Sequence, residues 1–274
     1  MFNRYEPKWL MYPESDLVFH YTPHTIVILE SGLIRFGNMY NTNDLYERKL
    51  WGISPTVWGG ADKEAADSLE RAYLTGRLIH ERSRTFCTVK DSSANNHLGR
   101  GYMNFPLWWN YAKQNKGACF VFDKLKLQET VLKRAQSTGA VYVKVADISY
   151  DLASCDLIPV YNPTIPLTSD EAIMFEHMLN HLKRFDKTIL FTKDSSWCSE
   201  NELRFAVICH DHIPFDINLS DFLVGIILGY DFAESEISLV KKYLAKISIK
   251  NIAVIDFYDG KPILYDLPNH GVLW

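Results

Sequence analysis

The sequence predicts an α+β protein with mixed, largely antiparallel sheets and flanking helices. Three observations carry this expectation. Helical and strand-like stretches are mixed along the 274 residues without strict alternation, which argues against a doubly wound parallel sheet. A content of 47% hydrophobic and 14% aromatic residues can bury a substantial core. No internal repeat or low-complexity tract breaks the chain, so 1–274 reads as a single domain with a Pro-rich loop at 154–169.

The elements follow in order. A short strand ends near Tyr21. Pro23 then stands where a helix start accepts proline, Thr22 is its natural N-cap, and Ile26, Val27, Leu29 and Leu33 give an apolar face closed by Gly32. LIRF resumes extended. GNMYNTNDLYE, rich in Asn, Asp and Gly, is a loop, and ADKEAADSLERAYLTGRLIHER is a strong helix with Ala, Leu and Ile at helical spacing. RTFCTV reads as a strand, KDSSANNHLGRG as a loop, PLWWNYAKQN as a short proline-led helix, and GACFVFD as a buried strand. A helix through LQETVLKRAQ and a strand through AVYVKVADISY come next. Ser169 is expected to cap the helix DEAIMFEHMLNHLKRF. Strands ELRFAVIC and FLVGIILG, a helix ESEISLVKKYLAKI and strands IAVIDFY and PILYDL complete the chain.

Composition narrows the function. A net charge of -4 and a pI near 6.1 give no global field for nucleic acid. Arg77, Arg82, Arg84, Lys113 and Lys116 could converge on a local groove, but solvated surface is the simpler reading. The five cysteines are scattered and contain no Cys-x-x-Cys pair, which points to buried reduced thiols. No apolar run reaches the ~20 residues of a membrane helix. The N-terminus lacks the pattern of a secretion signal, so the expected location is cytoplasmic, with no membrane partner.

Three places could carry chemistry. In KDSSWCSENELRF, an extended chain from Glu200 onward puts Glu200, Glu202 and Arg204 on one face and Leu203, Phe205 and Val207 on the core face. Such a patch is either a site with perturbed acids or a surface ladder of opposite charges. In PLWWNYAK, Trp108 and Tyr111 share a helix face and form either an aromatic wall or core packing. At the start of the first helix, His20 and Thr22 could bond a ligand hydroxyl, or serve only as a strand end and a cap. His177 and His181 have chelating spacing but no intervening Glu of the zinc-protease kind, so they read as helix surface, and no metal is expected. No P-loop, Gly-x-Gly-x-x-Gly or Gly-x-Ser-x-Gly occurs.

Taken together, HYTPHTIVILESGLIRF, YNTNDLYE, RTFCTVKD, PLWWNYAKQNKGACFVFD, FTKDSSWCSENELRF and VGIILGYDF resemble, in order, the blocks of the bacterial domain-of-unknown-function 2971 family. The resemblance runs from His20 to the last strand. More distantly, the His-x-Thr start followed by a helix ending in Ser-Gly-Leu is similar to the first element of ADP-ribosyltransferases. That likeness implies a split-sheet core and NAD as substrate. It also implies that His20, Tyr21 and Thr22 hold the ribose and nicotinamide amide, and that a Glu-x-Glu strand, here Glu200 and Glu202, supplies catalysis. An aromatic stacking on nicotinamide is implied too: Tyr111 beside Trp108, or else Tyr40 or Tyr46. Arg204 or Lys193 would meet the diphosphate unless paired with a carboxylate, and Asn43 and Asp44 would contact the ligand unless they only shape a turn. The implied activity is mono-ADP-ribosyl transfer to RNA, DNA or protein by a toxin or anti-phage effector, with a neutralising antitoxin as a further partner. The alternative is a non-catalytic nucleotide- or protein-binding module of the same fold.

Overall fold

Strand β1 (Leu17–Thr22) lies near the middle of an eight-stranded sheet in a computed structural model that describes residues 7–10, 16–44, 47–48, 53–54, 63–92, 99–151, 158–159, 170–259 and 261–267. The other strands of this sheet are β4 (Ser83–Val89), β5 (Ala118–Asp123), β6 (Tyr142–Asp147), β8 (Glu202–Ile208), β10 (Leu223–Leu228), β11 (Ile252–Tyr258) and β12 (Lys261–Asp266). Their spatial order is β12-β11-β10-β5-β1-β4-β8-β6, and of the neighbouring strands in this sheet only β10 and β11 run parallel among the described residues. Two small sheets pair β2 (Leu33–Arg35) with β9 (Asp216–Asn218), and β3 (Ile53–Ser54) with β7 (Ile158–Pro159). The α+β expectation therefore holds.

The sheet nearly parts at its centre. Strand β1 pairs with β5 along its whole length, yet meets β4 at a single register position, Phe19 opposite Val89. Beyond it the backbone of Thr85 is taken by Gly37, which donates to Thr85 O at 2.9 Å and accepts from Thr85 N at 2.8 Å. The segment after β2 thus occupies the edge that β1 leaves, and a cavity opens between β1 and β4. A split sheet was expected; the hydrogen bonding forms one sheet with a one-pair seam.

Both faces are covered. Alternation along β5 sends Phe120 and Phe122 to one face and Cys119 and Val121 to the other. The first face packs under α1 (Thr25–Ser31), α4 (Lys124–Thr138) and α6 (Glu234–Lys246), and the second under α3 (Phe105–Asn110). Helices α2 (Lys63–Arg82) and α5 (Glu171–Leu190) pack together over Ala206 and Ile208 of β8.

Local signals explain most boundaries. Helix α1 ends at Gly32 with φ 66°, a left-handed conformation that glycine adopts without strain. Thr22 is not its N-cap: it ends β1, its Oγ1 accepts from His24 N at 3.1 Å, and His24 holds the cap position. Helix α5 is capped by Asp170, whose carboxylate accepts from Ala172 N at 2.9 Å, while Ser169 lies outside the described residues. Of the Pro-rich loop, only Ile158–Pro159 and Asp170 beside it are described.

Some surface expectations are reversed. His177 and His181 are 6% and 8% exposed because α5 lies under α2 rather than at the surface. Arg82 and Arg84 are likewise buried, Arg82 against Glu171 and His210 O, and Arg84 donating to Glu81 O at 2.7 Å. Cys198 is exposed, not buried, and no helix of the described residues is long and apolar enough to cross a membrane.

Candidate functional site

The cavity at the seam measures about 330 Å³. Its walls come from β1 (His20), β4 (Thr85–Val89), the segment that carries Asn38, Asn43, Asp44 and Glu47, the end of α3 (Leu107, Tyr111), and the approach to and start of β8 (Lys193, Glu200, Glu202). A volume of this size fits the small-molecule range.

Glu202 opens β8, and Arg204 follows on the same face by the strand's period of two, opposite Leu203, Phe205 and Val207. That alternation agrees with the sequence reading, but the charged face is interior: Glu202 is 3% and Arg204 1% exposed. The surface-ladder alternative is therefore wrong, because α2 and α5 roof this side of the sheet. Glu200 is not on the strand. It ends a 3-10 helix (Ser195–Glu200), and Asn201 at φ 43° turns the chain into β8, bringing both carboxylates to one wall.

The side chains form one chain of contacts. Arg204 donates to both oxygens of Glu202, at 2.7 and 3.2 Å, and to Leu190 O at 2.7 Å. Its Nη1 also lies 2.5 Å from Glu47 Oε1, an ion pair off the hydrogen-bonding line. Lys193 Nζ is 2.7 Å from Glu202 Oε2 and 2.7 Å from Glu200 Oε2. The Tyr111 hydroxyl donates to Glu200 Oε1 at 2.7 Å, and Tyr150 OH accepts from Glu202 N at 2.8 Å. Three buried carboxyl groups, Glu47, Glu200 and Glu202, thus share two buried cations, and a fourth, Asp44, borders the same cavity.

Electrostatics follow from this arrangement. Burial, the largest influence on Glu202, raises its pKa, but Arg204 and Lys193 with hydrogen bonds outweigh it and hold the group at about 2. At Glu47 burial wins over Arg204 and Lys193, and the pKa is raised. Burial opposes the Lys193 ammonium, yet Glu202 and Glu47 prevail and push its pKa up. The Tyr111 phenol is also pushed up, first by burial and then by Glu200.

His20 is partly buried, and burial lowers its pKa to about 4, so the ring is neutral at pH 7. Its Nδ1 lies 3.0 Å from the Cys87 carbonyl, which can only accept. The proton is therefore on Nδ1, and Nε2 is left as an acceptor. Asn38, also on the wall, has a buried Oδ1 without a hydrogen-bond partner.

The sequence-predicted residues divide into two groups. His20, Tyr111, Glu200, Glu202, Asn43 and Asp44 share the cavity wall. Tyr21 borders it, but its hydroxyl donates to Gly101 O at 2.7 Å and its ring packs edge-on to Trp108. Trp108 is fully buried with Nε1 donating to Tyr102 O at 2.8 Å, so it is core and not a stacking wall. Thr22 is buried in its turn and does not border the cavity. Arg204 stands behind Glu202, locked in ion pairs, and is not placed for a diphosphate. Tyr40 is 41% exposed with its ring against His80, and Tyr46 lies outside the described residues.

Glu47, Asn38 and Cys87 escaped the sequence reading. Glu47 sits in a stretch that reads as polar loop, and a buried acid leaves no local pattern. The only available hint was an excess of carboxylates over the cations able to pair with them. No family model, curated protein or solved structure matches the chain.

Proposed function

We propose that the chain is an NAD-consuming mono-ADP-ribosyltransferase of the domain-of-unknown-function 2971 family, acting in the cytoplasm on a macromolecular acceptor, RNA, DNA or protein, as a toxin or anti-phage effector. One observation carries the reading: His20, Tyr111, and the pair Glu200 and Glu202, drawn from three separate places in the sequence, line one cavity. Breaking the nicotinamide–ribose bond sends the bonding electrons to the departing base and leaves positive charge on the sugar. A wall rich in carboxylates, fixed in a buried network, stabilises that state without having to reorganise. The cavity of about 330 Å³ suits the nicotinamide and ribose rather than a whole dinucleotide, and Arg35, which also borders it, is paired with Asp216.

The roles follow the contacts. The acceptor Nε2 of His20 meets a ribose hydroxyl or the amide N–H. Glu200 takes the proton of the incoming acceptor nucleophile, and Glu202, held by Arg204 and Lys193, anchors the field. The test is purified protein with labelled NAD and cell lysate. Nicotinamide release and label transfer are expected, both lost in Glu200→Gln. A folded wild-type protein that releases no nicotinamide and labels nothing sinks the proposal.

A second reading, a non-catalytic binding module, is favoured by one observation: both oxygens of Glu202 are already taken by Arg204 and Lys193. Calorimetric binding of NAD without nicotinamide release would select it.

A further inference from the structure

We propose that Lys193 is the positioning residue of this site, its single ammonium holding Glu200 and Glu202 side by side on the cavity wall. Its kinetic consequence rests on the transferase reading; its structural consequence does not. The two glutamates lie on either side of Asn201, whose left-handed conformation at φ 43° folds them toward each other. Buried like charges so placed repel strongly and drive one of them to take a proton. Each has its own holder on one oxygen, the Tyr111 hydroxyl on Glu200 Oε1 and Arg204 Nε on Glu202 Oε1. On the other oxygen both meet Lys193, at 2.7 Å in each case, Glu202 Oε2 also accepting from Arg204 Nη2 at 3.2 Å.

The rest of the surroundings fit a fixed lysine. Its side chain is 6% exposed, and its ammonium lies 5.6 Å from the centre of the Trp197 ring. Glu47, Arg204, Cys87 and Tyr150 are the other titratable or charged groups around the pair. Of these, Glu47 and Glu202 keep the ammonium charged against the effect of burial. Without it, Glu200 keeps only the Tyr111 hydroxyl of these contacts to hold it on the wall.

The experiment uses the full chain with 13C-labelled glutamate carboxyls and 15N-labelled lysine, as wild type, Lys193→Met and Lys193→Arg. In wild type, through-hydrogen-bond couplings from Nζ of Lys193 to two glutamate carboxyls are expected; coupling to one or none overturns the proposal, whether or not the variants fold. In folded Lys193→Met, one network carboxyl should titrate at least ~1 unit higher than in wild type. The acid limb of nicotinamide release should move up with it, and kcat at pH 7 should fall by at least ~10-fold. Lys193→Arg should restore most of both. A folded methionine variant with unmoved carboxyl titration also overturns the proposal. If wild type releases no nicotinamide, the transferase reading falls while the couplings and the carboxyl titration still decide the lysine.

Discussion

Arg204→Met is the substitution that most directly probes the buried network. The guanidinium is 1% exposed, chelates Glu202, pairs with Glu47 and donates to Leu190 O. Methionine fills much of the same volume but leaves three buried carboxylates facing the Lys193 ammonium alone. Removing one partner of a buried pair costs ~3–5 kcal/mol, because the surviving charge is stranded. An unfolding entropy of ~2.1 cal/mol/K per residue over this length converts that cost to a Tm drop of about 5–9 °C. Urea denaturation at pH 7 measures the first figure and thermal melting the second.

The pH dependence provides an independent check with a definite sign. Glu202 is held at about 2 in the fold, against ~4.3 unfolded. Its contribution to wild-type stability is therefore complete above ~4.3 and lost as pH falls toward 2. In Arg204→Met the carboxylates rise above their unfolded values, so the deficit shrinks as pH falls from 7 toward 5. The double variant Glu202→Gln/Arg204→Met should recover at least half of the loss. A deficit below about 1 kcal/mol at pH 7, the scale of an exposed pair, would refute the claim that these charges are buried and mutually dependent.

Other outcomes follow from the same geometry. Trp108→Ala should cost ~3–5 kcal/mol in urea, yet leave NAD affinity per folded molecule unchanged in calorimetry, since the indole is core. His20 and His181 are both lowered to about 4 by burial. The stability they contribute is present above ~6.5 and lost as pH falls from there toward 4. His20→Phe should therefore flatten the stability profile across that window, measured by denaturation at half-unit steps. A Cβ on Gly229 would meet Asn115 O at 2.0 Å, beside a turn whose Lys113, Gln114 and Asn115 all have positive φ. Gly229→Ala should cost ~1–3 kcal/mol and, by shifting the turn that follows Tyr111, slow nicotinamide release.

Periodicity and end signals carried most of the secondary structure. Gly32 closes its helix as the sequence predicts, Gly139 closes α4 in the same left-handed conformation though the sequence reading did not name it, and the alternation of Leu203, Phe205 and Val207 against Glu202 and Arg204 is correct. The helix α2 and the strands β4, β5, β6, β8, β10, β11 and β12 named from sequence are present among the described residues, while β7 and β9 were not foreseen. What alternation could not say is whether the opposite face of β8 meets water. Two helices distant in sequence cover it, and that decision converts a charged strand face into a buried network.

The same distinction separates the residues of the site. The chain alone determined that a histidine lies near the end of one strand, that Glu202 opens another, and that a short aromatic helix stands between them, because these depend on neighbours a few positions apart. Only the tertiary structure decided that β1 leaves β4 after one pair, that Glu47 joins the acids, and that Trp108 turns inward while Tyr111 reaches Glu200. Those outcomes depend on contacts between residues tens to hundreds of positions apart, and on the cost of burying charge without a partner. No local pattern of residue types encodes either.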